Sequence, residues 1–168
     1  PTYYMDNFDV SLQKAAILTA TYIFPASLLR PLGGWMSDKL GARRVMYFSL
    51  VLMLAATALL MMPNGHLVID HADGTHSEHL PYAIGLVPFA LVVFVLGCAM
   101  GVGKAAVYKH IPDYFPDNVG PVGGLVGMLG GLGGFFLPPL FAYTKAWSGF
   151  PSSTFFVLFI LTAICLAW

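Results

Sequence analysis

The run Gly34-Trp35-Met36-Ser37-Asp38-Lys39-Leu40-Gly41-Ala42-Arg43-Arg44 has the pattern G-x-x-x-D-[RK]-x-G-x-[RK]-[RK]. It separates two apolar segments, residues 15–37 with Arg30 as the sole charge and residues 45–62 with none. It reads as a tight turn joining two membrane helices. Gly34 lets a neighbouring helix approach closely. Asp38 stands at the C-terminal end of its helix, against the helix dipole, and so calls for a cationic partner. Arg43 or Arg44, a few residues on, is the expected one. Gly41 supplies the turn geometry. Such a pair opens or closes as helices rock, which makes Gly34, Asp38, Lys39, Gly41, Arg43 and Arg44 candidate gating residues. The plainer alternative is a basic loop that only sets topology.

Composition agrees with the membrane reading. Charged residues are 10% of the 168, against roughly 25% in an ordinary soluble domain. Hydrophobic residues are 58%, and the mean hydropathy is +0.76. So few charges could not cover the surface of a soluble domain. Disorder needs low hydrophobicity and is excluded. Eight basic and eight acidic residues give a net charge of zero, which excludes a basic nucleic-acid binder. Cys98 and Cys165 lie in apolar runs and read as packing residues.

A spanning helix needs about 20 mainly apolar residues. The expected helices are residues 15–37, 45–62, 82–109, 119–144 and 152–168, with residues 1–5 as the stub of a preceding helix. A membrane barrel is excluded, since these runs lack period-2 alternation. The chain begins Pro1-Thr2-Tyr3-Tyr4 and stops at Trp168 within an apolar run, so the expectation is a piece of a longer polytopic protein. Lys39, Arg43, Arg44 and Lys109 fall on one side and Lys14 and Lys145 on the other. That bias puts the 38–44 and 113–118 loops in the cytoplasm. The loop 63–81 on the opposite side carries His66, His71, His76 and His79. A metal site is conceivable there. Their spacing matches no metal signature, and the favoured reading is a small hairpin turning at Asp73-Gly74 between Leu67-Val68-Ile69 and Glu78-His79-Leu80.

Arg30 stands eight residues before Asp38, roughly 12 Å inside the helix end. An arginine at mid-membrane costs at least about 2.5 kcal/mol, which calls for a polar cavity and a partner. No carboxylate lies in any of these spans. The partner is then an anion, or an acid elsewhere in a longer chain. A planar fork of donors suits flat or multi-oxygen anions. The alternative is a structural arginine bonded to helix carbonyls. Pro25 and Pro31 are expected to interrupt the helix twice around Arg30, as at a transporter site. Tyr22, about two turns earlier and near the same face, is a weaker candidate for contacting a ligand.

Gly120, Gly123, Gly127, Gly130 and Gly134 step by three and four and mark one helical face, with Gly124, Gly131 and Gly133 around it. In water this run would not hold a helix, but in a membrane unsatisfied backbone is worse. A smooth glycine face allows close packing and sliding, and leaves backbone beside a narrow path for a small ligand. Close packing alone is the alternative. Lys104, in Gly103-Lys104-Ala105-Ala106-Val107-Tyr108-Lys109-His110-Ile111-Pro112, either snorkels or adds positive potential to an anion path.

The Gly34–Arg44 run resembles the signature loop of the major facilitator superfamily, between helices two and three and again between helices eight and nine. Three further stretches are similar to the nitrate/nitrite porter (NarK-like) family within it. They are Arg30-Pro31-Leu32-Gly33-Gly34, the Gly103–Pro112 stretch, and Gly127-Met128-Leu129-Gly130-Gly131-Leu132-Gly133-Gly134-Phe135-Phe136-Leu137-Pro138. The resemblance implies an all-α polytopic helix bundle in which residues 1–168 form helices eight to twelve, with the end of helix seven, of a twelve-helix transporter. It implies that one arginine from each half grips the anion and that Arg30 is the C-terminal-half one. The partner arginine and first nitrate signature would lie in a missing N-terminal half. Gly127, Gly130, Gly131 and Gly134 become substrate-path residues, as members of the second glycine-rich signature. Lys104 stands where some members carry Asn or Ser, which resembles the proton-linked importers.

The expected function is transport of nitrate and/or nitrite by alternating access across the inner (plasma) membrane, with proton-coupled import as one mode. Expected partners are the anion, protons, the bilayer and the N-terminal half. No cofactor, metal, nucleic acid or enzymatic step is implied. A facilitator of another small anion is the alternative, and a membrane enzyme or metal-dependent assembly factor using the histidine loop is a weaker one. Of the sixteen charges, all but Arg30 and Lys104 fall in loops or at helix ends. Net zero therefore hides a positive membrane interior, as an anion path requires.

Overall fold

The structure is a computed structural model that describes residues 2–61, 67–70, 76–79, 84–149 and 152–168. The helices in order are α1 (Thr2–Phe8), α2 (Leu12–Leu28), α3 (Arg30–Leu40), α4 (Ala42–Met61), α5 (Leu86–Tyr114), α6 (Val119–Ser148) and α7 (Ser153–Ala167). Among the described residues α4, α5 and α6 are each long and apolar enough to cross a membrane, and α2 with α3 makes a fourth span bent by 41°. The shorter α7 is apolar as well. Many large apolar side chains face outward, among them Phe24, Leu28, Phe48, Leu91 and Phe94, as lipid-facing helices require. This is an all-α membrane bundle.

The strands β1 (Leu67–Asp70) and β2 (His76–His79) pair antiparallel, Leu67 opposite His79 and Asp70 opposite His76. They form the two arms of the expected hairpin. Its turn at Asp73-Gly74 and the side chains of the four loop histidines, hence the metal reading, lie outside the described residues.

The expected double interruption around Arg30 is a single one. Pro25 stays inside α2, buried, and the break falls at Leu29. Pro31 occupies the first turn of α3, where a missing N–H would lack a helical partner anyway. The Leu29 N–H donates to the Pro25 carbonyl at 3.0 Å, and the Gly33 N–H donates to the Leu29 carbonyl at 2.9 Å. The backbone therefore stays bonded through the bend. Gly41 ends α3 at φ +90°, a conformation open mainly to glycine, and α4 starts directly after it.

Two packed clusters hold the helices together. At one end Phe89 stacks on Tyr3 at 5.0 Å and meets Tyr4 and Phe155 edge-on, joining α1, α5 and α7. Toward the other end Val45, Val102 and Ala106 pack with Leu29, Met36 and Met46. Between α5 and the bent span the contact is backbone on backbone. A Cβ at Gly97 would stand 2.6 Å from the Tyr22 carbonyl oxygen, one at Gly101 2.8 Å from that of Ala26, and one at Gly33 2.8 Å from the Val102 backbone. Gly97 and Gly101, four residues apart, share one face of α5.

The α6 glycine face behaves differently. No residue of α6 is buried, and Gly120, Gly124, Gly130, Gly131 and Gly134 have nothing within 4 Å of an added Cβ. The close packing expected of that face is found instead at Gly33, Gly97 and Gly101. Gly101→Leu is expected to destabilise the bundle by about 1–3 kcal/mol, the usual cost of overpacking. A thermal melt in detergent checks this. Gly85→Ala, where a Cβ meets nothing closer than 3.7 Å, is expected to leave the melt unchanged.

Candidate functional site

Arg30 is the first residue of α3, so the bend carries its guanidinium off the line of α2. It lines a pocket of about 340 Å³. Ala26 comes to this pocket from α2, Met46, Ser49, Leu50 and Met53 from α4, and Met100, Gly103, Lys104 and Val107 from α5. Arg30 and Lys104, singled out separately in the sequence, thus share one cavity. Neither has a hydrogen-bond or ion-pair partner among the described residues, so Arg30 is not spent on helix carbonyls. No carboxylate lines the pocket. Two cations with apolar and thioether walls give the pocket a positive lining, chemistry that suits negative charge. The volume exceeds a single water by about tenfold, room for a small anion with part of its hydration.

Ser49 is a pocket residue that sequence reasoning missed. A lone serine in the uncharged run 45–62 carries no motif, and only the tertiary contact with Gly103 marks it. Tyr22 does not line this pocket. Its hydroxyl donates to the Met100 sulfur at 3.0 Å, and its ring lines a separate aromatic pocket of about 180 Å³ with Tyr3, Tyr4 and Phe89. It reaches the Arg30 pocket only through Met100. The signature glycines of α6 are not gathered there either. A Cβ at Gly127 would stand 3.1 Å from the Tyr108 hydroxyl, while Gly130, Gly131 and Gly134 face open space.

At the end of the bundle that holds the α3–α4 turn, Asp38 pairs with Lys109 of α5 rather than with Arg43 or Arg44. The turn at Gly41 starts α4 at once, and Arg43 then lies on α4 with its guanidinium 6.0 Å from the Tyr47 ring. Lys39 sits over the Trp35 ring at 4.4 Å. Gly34 has nothing within 4 Å of an added Cβ, whereas its neighbour Gly33 makes the close contact. At the opposite end Lys145 of α6 pairs with Asp6 of α1 at 2.7 Å. One ion pair thus ties α3 to α5, and the other ties α1 to α6.

The sequence matches the Major Facilitator Superfamily over residues 1–168. It is 59% identical, over all 168 residues, to a protein of Thermus thermophilus named "Probable nitrate/nitrite antiporter NarK1". It is 30% identical over 160 residues, 95% of this chain, to the "Probable nitrate transporter NarT" of Staphylococcus haemolyticus. The "Probable nitrate transporter NarT" of Staphylococcus aureus (strain N315) is 29% identical over 167 residues, 99% of this chain. The chain spans only 36–38% of the length of these relatives. No solved structure matches it. With a match running from its first residue to its last and a bundle of apolar helices to fit it, the chain belongs to the Major Facilitator Superfamily of multi-pass membrane proteins.

Proposed function

We propose that this chain is the C-terminal portion, about helices eight to twelve, of a transporter that moves nitrate and/or nitrite across the inner (plasma) membrane by alternating access. The observation that carries the reading is the shared pocket of Arg30 and Lys104, which has no carboxylate in its wall. The names of the relatives support nitrate and nitrite as the anions. Nitrate is a small planar monoanion with little apolar surface to offer. Charge-assisted hydrogen bonds from a guanidinium fork are the strongest contacts available to it. An opposing arginine from the N-terminal half would complete the grip, and anion binding would then offset the repulsion of the gathered cations. Proton-coupled import is one mode of this cycle. Another small anion of similar charge is the second reading, because the pocket would admit more than nitrate.

The α6 glycines belong to this proposal as a path surface. Gly127, Gly130, Gly131 and Gly134 present bare backbone that a partner helix could approach or slide along. Tyr22 acts on the site at second hand, through Met100. The Asp38–Lys109 pair is the gating element, with Gly34, Lys39, Gly41, Arg43 and Arg44 shaping the turn that presents it. Both members of the pair are partly exposed, so its contribution to stability is small. Its role is to open and close as the helices rock, tying α3 to α5 in this structure.

Arg30→Lys in the complete transporter is expected to lower saturable nitrate uptake at least about tenfold, since a point charge replaces the fork. Undiminished uptake in vesicles would remove Arg30 from the site. Inhibition of that uptake by nitrite and chlorate, but not by dicarboxylates, separates the nitrate reading from its rival. Asp38→Lys is expected to slow transport several-fold with the nitrate KM unchanged. Adding Lys109→Asp to it is expected to restore the rate, and initial-rate measurements on the two variants check the gate.

A further inference from the structure

Among the described residues the serine hydroxyls of Ser49 and Ser153 are buried without a partner, and of the two only Ser49 lines the Arg30 pocket. The hydroxyls of Thr19, Ser37, Thr57 and Thr162 turn back and donate to the carbonyl four residues earlier, at 2.7–2.8 Å. That bond needs no rearrangement and is the ordinary fate of a hydroxyl in a membrane helix. Ser49 is only 1% exposed, yet its Oγ has no partner. It lies in the seam of α4 and α5, 3.5 Å from where a Cβ on Gly103 would stand. A buried hydroxyl left unpaired is costly. Ser49 and Gly103 both line the pocket of Arg30 and Lys104.

The donors of that pocket come from three elements: the Arg30 fork from α3, the Lys104 ammonium from α5 and the Ser49 hydroxyl from α4. Resting on the anion reading above, we propose that Ser49 is a specificity-determining residue that favours a trigonal three-oxygen anion over a bent two-oxygen one. A flat fork takes two oxygens of the anion in one plane. The third oxygen of a trigonal anion so held would point away from the fork, into a pocket whose walls include the thioethers of Met46, Met53 and Met100. Thioether sulfur cannot donate a hydrogen bond to it. Ser49 lines the pocket, and a change of its staggered χ1 rotamer to serve that oxygen would break no hydrogen bond, because its Oγ has none. A two-oxygen anion is already satisfied by the fork and gains little from that step.

The test uses the complete transporter in proteoliposomes, with nitrate and nitrite as the probes, and compares the wild type with Ser49→Ala and Ser49→Cys. Ser49→Ala is expected to raise the nitrate KM about tenfold, the worth of one hydrogen bond to an ion, and to move the nitrite KM less than about twofold. Ser49→Cys, similar in size but a weak donor, is expected to follow it. The thermal midpoint without anion is expected to stay or rise in Ser49→Ala, because an unpaired buried polar group has gone. An equal rise of both KM values, or a lowered midpoint with unchanged selectivity, makes Ser49 a packing residue and overturns the inference while leaving the transport reading intact. A wild type that moves neither anion overturns that reading and this inference with it.

Discussion

The bundle depends on the backbone contact of α5 with the bent α2–α3 span. In lipid no hydrophobic force draws helices together, so association rests on close packing and polar contacts. Gly97 and Gly101 admit the carbonyls of Tyr22 and Ala26 to distances no side chain would allow, and Gly33 does the same for the backbone at Val102. That contact sets the rotation of α5 about its own axis. Lys104 lies three residues beyond Gly101, roughly one turn, and is carried to the same cavity as Arg30. Gly103 meanwhile brings α5 against Ser49 of α4.

The break at Leu29 complements this contact. A straight helix would keep Arg30 in line with α2. The 41° bend starts a new helix at Arg30 itself, with Pro31 in its first turn. The bend leaves no broken hydrogen bond at Leu29, which distinguishes it from a local unwinding. Two cations facing one pocket without a carboxylate are unfavourable in the empty state. On the proposed reading an entering anion would offset their repulsion, which would link its charge to the packing of α3, α4 and α5.

Glycine does two different things in this chain. At positions 33, 97 and 101 it is filled by a neighbour, and at 130, 131 and 134 it is bare. Both read alike as small-residue spacing, since periodicity shows which face is smooth and not what covers it. The ion pairs show the same limit. Asp38 visibly needed a cation, and Arg43 and Arg44 were the near choices in sequence. The tight turn at Gly41 instead leaves Asp38 facing α5, where Lys109 answers it across more than sixty residues of chain.

Local chemistry was legible without coordinates. Apolar runs of spanning length and the signature turn at Gly34–Arg44 already specify a membrane bundle, and the spans carry cations but no carboxylate, a pattern the bilayer makes legible because it penalises each uncompensated charge on its own. The two paired arms at Leu67–Asp70 and His76–His79 were legible too, from the turn dipeptide between them in the sequence. The tertiary structure alone decided what faces what. It reduced two proline interruptions to one, since a buried Pro25 is tolerated inside α2. It put Lys104 in the Arg30 pocket and Tyr22 behind Met100, and it exposed Ser49 as a buried pocket hydroxyl that does not bond its own helix. Those relations depend on how helices rotate and bend against one another. That is fixed by contacts among residues far apart in the chain, to which no local pattern of residues is sensitive.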